Sequence, residues 1–200
     1  KVSGTFGGSA EGDSFDFHLN TVLTDDACYF TFPARSWEGT IIDTSLLPDG
    51  YGIFRMGYQP NRVDESGQEI CDFDIESLDM VYALDPSVYQ ECMYLSEDET
   101  QIYLMTQKDG VLYLTVIDVE TMTTVQELEI IDFEEERGGI HKIHQKEDYW
   151  VLWLAGGKLA VLDRTPDGLF VPRFCAPYDS LDIEEYSMSM YSEVDWNGER

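Results

Sequence analysis

Apolar and polar residues alternate in short runs along most of this chain. In Ser14 to Leu19 the apolar Phe15, Phe17 and Leu19 fall on one face and polar residues on the other, the period-two pattern of a half-buried strand. Similar runs recur at 28–32, 40–42, 51–56, 70–75, 80–84, 91–95 and 101–106. The second half adds 111–118, 124–131, 140–144, 149–154, 158–163 and 169–174. Turn chemistry separates them. Lys108-Asp109-Gly110 carries the Asp-Gly pair of a tight hairpin, and Ala155-Gly156-Gly157, Asp167-Gly168 and Asn197-Gly198 punctuate in the same way. Only 179–190 reads as helical, and the acidic run 132–136 followed by Arg137-Gly138-Gly139 reads as an exposed loop.

Short strands with a turn every 8–12 residues or so mark a sandwich, a barrel or a propeller. A repeat separates these architectures. Leu114-Thr115-Val116-Ile117-Asp118 aligns with Leu159-Ala160-Val161-Leu162-Asp163, and Cys71-Asp72-Phe73-Asp74 fits at nearly the same distance before Asp118. An apolar or aromatic strand precedes each Asp: Ile53 to Met56, Ile102 to Met105, Trp150 to Trp153. A period of about 45 residues with several strands per unit is a propeller pattern. The chain is expected to be all-β, a β-propeller or partial propeller of antiparallel sheets with about four blade-like units, in one domain over 1–200. A β-sandwich is the alternative.

One unit is more specific. In Tyr94 to Tyr103 and Val116 to Thr121, the residues Ser96, Asp98 and Tyr103, then Val116, Ile117, Asp118 and Thr121, resemble a blade of YVTN-type and related WD40-like propellers. Glu97 and Glu99 stand where that family has Pro and Gly. The resemblance covers one blade well, is looser over 140–174, and is poor before Gly50. It implies a fold and no activity. Asp118 and Thr121 are expected to be structural, since Asp and Thr side chains bond nearby backbone N–H groups and close such hairpins.

Charge narrows the partners. The chain carries 40 acidic and 12 basic residues, a formal net charge of −28. Nucleic acid is excluded as a partner, because it requires a positive footprint. An anionic membrane surface is disfavoured for the same reason, and no apolar run approaches the roughly 18 residues of a membrane span. A protein or a carbohydrate remains. The ordinary reading of the acidity is a solvated, self-repelling surface; the sharper one is a site for cations or for a basic partner, and adaptation to high salt is the third.

The residues offer few catalytic arrangements. There is no GxSxG, no GxxxxGK[ST] and no HExxH. Close carboxylate pairs are inevitable among so many acids and carry no information. His141 and His144 are spaced for a shared metal only on a helix, and on a strand their rings face opposite ways. Asp72, Asp74 and Glu76 would share one face of a strand and could take calcium, which prefers oxygen ligands; a solvated strand face is the ordinary reading. No other cofactor is implied. Trp37, in the polar stretch 33–39, is the aromatic residue expected to bind a ligand. Cys28, Cys71, Cys92 and Cys175 form no CxxC pair and read as buried thiols, with one disulfide as the alternative.

These readings favour a non-catalytic binding or scaffold module that displays loops on a propeller rim. The competing expectation is a carbohydrate- or peptide-directed hydrolase or lyase with acidic residues near the propeller axis. A start at Lys1 is expected to reflect processing or engineering; if a leader was removed, the protein is expected outside the cytoplasm, secreted or on a cell surface. The final Val194 to Arg200 looks like half a hairpin, so the natural chain is expected to continue past Arg200.

Overall fold

The computed structural model describes residues 4–10, 13–32, 50–60, 62–63, 66–67, 69–70, 72–133 and 139–177. Strands β1 (Gly4–Ala10) and β2 (Asp13–Leu19) pair antiparallel, from Gly4 opposite Leu19 to Ala10 opposite Asp13. A four-stranded sheet follows, made of β3 (Thr21–Leu23), β4 (Ala27–Phe32), β5 (Gly52–Gly57) and, after the short ladder of β6 (Arg62–Val63) and β7 (Glu69–Ile70), β8 (Asp79–Ala83). A second sheet takes β9 (Tyr89–Leu95), β10 (Gln101–Lys108), β11 (Val111–Asp118) and β12 (Thr124–Asp132) in chain order. The third takes β13 (Ile140–Gln145), β14 (Tyr149–Leu154), β15 (Lys158–Arg164) and β16 (Phe170–Pro177), again in chain order.

The fold is all-β, with each four-stranded sheet drawn from one contiguous stretch of chain. That order suits successive propeller blades, whereas a Greek-key sandwich interleaves distant strands. The turns form where their chemistry allows. Asp109 and Gly110 have φ of 51° and 84°, so the two-residue link between β10 and β11 has positive φ at both positions, as a type I′ hairpin turn requires. Among the described residues no helix is long and apolar enough to cross a membrane.

One stretch departs from expectation. Residues 70–75 do not form a continuous strand: β7 stops at Ile70, Phe73 makes a single bridge with Tyr58, and Ile75–Ser77 is a 3-10 turn. Asp72 to Asp74 is therefore no counterpart of Val116 to Asp118. The third strand of the first sheet, matching β11 in the second, is β5, and 58–78 is an insert before the fourth strand. Acidic and apolar residues alternate through 72–76 and imitate a strand. The expected strand at 40–42, the helix at 179–190 and the hairpin at Asn197-Gly198 lie outside the described residues.

The chain divides into two compact units, Lys1–Lys108 with Leu114–Glu127, and Asp109–Tyr113 with Leu128–Arg200. In the first unit, Val22, Ala27, Tyr29 and Ile53 from the first sheet share a core with Met93, Ile102, Leu104 and Ile117 from the second. Two sheets thus meet face to face, and each fully buried Ile or Leu side chain contributes about 1.5–3 kcal/mol from removed apolar area. In the second unit both faces of the β14–β15 pair are withdrawn from water. Val151, Trp153, Leu159 and Val161 cluster on one face, while Trp150, Leu152, Leu154 and Leu162 are buried on the other, Trp150 edge-on to Phe170 at 4.8 Å. The outer strand β12 alternates exposed and half-buried residues along most of its length, as an edge facing solvent should.

Candidate partner-binding insert

The first sheet carries the insert 58–78 between β5 and β8, and the whole insert lies in the first unit. Its base is fixed by the backbone. Gln59 N–H donates to the Asp72 carbonyl at 2.8 Å, and Asp74 N–H donates to the Gly57 carbonyl at 2.8 Å. Ser77 closes the return: its hydroxyl accepts from Gly57 N–H at 2.8 Å and donates to the Asp74 carbonyl at 2.6 Å. Tyr58 reaches across to donate to the Thr24 carbonyl at 3.3 Å, and its ring lies 5.7 Å from that of Phe73.

The acidic residues divide their roles. Asp72 Oδ2 accepts from Arg62 Nε at 2.9 Å and lies 2.7 Å from a terminal guanidinium nitrogen, which ties β6 to the returning chain. Both partners are well exposed, so this pair holds geometry and adds little stability. Asp74 caps the 3-10 turn, its Oδ1 accepting from Glu76 N–H at 3.2 Å. Glu76 is exposed. The single-face alternation expected of Asp72, Asp74 and Glu76 is thus replaced by an ion pair, a cap and a solvated carboxylate. Among the described residues no group of three or more His, Cys, Asp or Glu side chains is placed to hold a metal ion.

Between these acids the apolar side chains face outward. Ile75 is 75% exposed, Val63 63% and Phe73 44%. Sequence reasoning missed all three, because apolar residues alternating with acids look like the buried face of a strand. The signal that marks them is the absence of a fourth-strand partner at their position in the repeat. Over 58–79 the sequence has seven acidic residues and one basic residue, Arg62. Insert and surroundings therefore present apolar side chains within a negative field.

The other expected sites fare differently. Trp37 lies outside the described residues. His141 and His144 occupy β13, the strand expected for them. Cys28 is buried, Cys92 half-buried and Cys175 exposed, and all three carry thiols; Cys71 lies outside the described residues. Burial pushes the Cys28 thiol above its ordinary range, which lowers its thiolate fraction.

No family model and no curated protein matches the chain. Among solved structures it is similar to the crystal structure of a protein from Lactobacillus plantarum, with a TM-score of 0.45 and 18% sequence identity. The similarity covers 88% of this chain and 46% of that one, so the chain spans less than half of that protein's length.

Proposed function

We propose that this chain is a non-catalytic binding module that docks a protein partner on the insert 58–78. The observation that carries this reading is the outward display of Ile75, Val63 and Phe73 on a segment braced at both ends by hydrogen bonds. Large apolar side chains exposed together mark interaction sites, and aromatic anchors dominate such contacts. The surrounding acids select the partner's charge. Its matching surface is an apolar pocket rimmed by Lys or Arg, and encounter is accelerated by the opposite fields.

A displayed peptide library panned on the wild-type chain tests this. Selection should enrich apolar residues flanked by Lys or Arg. The enriched peptides should bind the Phe73→Ser, Ile75→Ser double variant at least tenfold more weakly. Equal binding to both proteins, or no basic-apolar enrichment, overturns the proposal.

A further inference from the structure

At one end of the core shared by the first two sheets, three polar groups are turned inward. Asn20 lies opposite Thr31, whose N–H donates to the Asn20 carbonyl at 2.9 Å. Across the sheet Thr31 pairs with Ile53, a member of the shared core, so the Thr31 side chain faces the second sheet. Asn20 is two residues from Val22, another member of that core, and alternation gives it the same face.

The second sheet supplies the third group. On β9 and β10 the core face carries Met93 opposite Leu104. A bulge between Met105 and Thr106 shifts the register, and Gln90 opposite Thr106 takes the next place on that face. Gln90 also reaches the first sheet, its Nε2 donating to the Phe32 carbonyl at 3.4 Å. Thr31 is fully buried and Gln90 is 8% exposed. Yet Asn20 Nδ2, Thr31 Oγ1 and Gln90 Oε1 are all buried with no hydrogen-bond partner among the described residues.

Buried polar groups in folded proteins are paired, because leaving them dry costs the full desolvation penalty. The three atoms are one amide donor, one amide acceptor and one hydroxyl that serves either way. We propose that they form a site for a single buried water between the two sheets. The water accepts from Asn20 Nδ2 and donates to Gln90 Oε1 and Thr31 Oγ1, which gives it the three bonds typical of internal waters. Either orientation of the Asn20 amide suits it, since water both donates and accepts, while the Gln90 amide is oriented by its bond to the Phe32 carbonyl. The site ties the β3–β4 end of the first sheet to β9 of the second, where the apolar core gives out.

Oxygen-17 relaxation dispersion on the full chain counts long-lived internal waters and tests this directly. The wild type should show one such water that Thr31→Val loses and Thr31→Ser keeps. Gln90→Met, in which the acceptor is replaced at similar length, should lose the same water and serves if Thr31→Val does not fold. Absence of any long-lived water in the wild type, or an unchanged count in both Thr31→Val and Gln90→Met, overturns the site.

Discussion

Asp118 accepts two hydrogen bonds from Thr121, one from its backbone N–H at 2.8 Å and one from its hydroxyl at 2.7 Å. These bonds close the turn from β11 to β12 and hold the Asp118 carboxyl below its ordinary value, the Thr121 hydroxyl being the larger cause. Asp98 is held low in the same way by Ser96 and then Thr100. Both folded-state values lie below the unfolded ones, so the stabilisation is present above the unfolded carboxylate range and is lost as pH falls through the folded values. The Asp98→Ala, Asp118→Ala double variant should therefore melt below wild type at neutral pH. The gap in Tm should shrink as pH is lowered toward 3 or so, near and below the ordinary carboxylate range. A gap that stays constant from neutral pH to acid would show that the carboxylates act only by packing.

Gly52 has a different constraint. A Cβ added there would run into the Tyr82 carbonyl oxygen and come within 3.1 Å of the Ala83 Cα, both on the paired strand β8. Backbone cannot rotate away as a side chain can. The Gly52→Ala chain should lose at least the roughly 1–3 kcal/mol typical of overpacking. Urea unfolding should show a lower midpoint with an unchanged m value, and an unchanged midpoint would mean that β5 and β8 are not in this register.

Most of the strands were legible because their signals are local. The alternation at 111–118 and 149–154, and the Asp109-Gly110 turn, need only period and φ to be read. The bonds between Asp118 and Thr121 followed from side-chain reach within a turn. The insert was not legible, since 72–76 has the alternation of a strand without a partner to complete it. The inward turn of Gln90 was hidden for another reason. Without the bulge at Met105 and Thr106, Glu91 would hold that place, and nothing in the local sequence fixes a one-residue shift.

Calcium at the acidic run can be examined through Arg62. A cation approaching Asp72 competes with the guanidinium bonded to its Oδ2. Ligand that binds only the folded chain raises Tm in proportion to the logarithm of its concentration over Kd. If Asp72, Asp74 and Glu76 take calcium, the rise in Tm with added calcium should be larger in Arg62→Ala than in wild type, and chelator should reverse it. Thermal scans that show no calcium response in either protein would remove calcium as a ligand of this run.

The packing of the first sheet on the second rests on Ile53 and Leu104, each fully buried and drawn from different sheets into one cluster. Each truncation to alanine should cost about 2–5 kcal/mol, a transfer term plus the cavity left behind. The two costs should not add. If Ile53 and Leu104 line a shared interface, the second truncation enlarges a cavity that the first has already loosened, and the coupling energy should reach about 0.5–3 kcal/mol. Val125, 47% exposed on β12, supplies the control, and its alanine variant should change stability by no more than about 0.5 kcal/mol. Urea titrations of the four proteins of the cycle, with Val125→Ala beside them, decide the matter. Additive costs for Ile53→Ala and Leu104→Ala would place the two side chains in separate cores and break the face-to-face stacking on which the blade-like architecture depends.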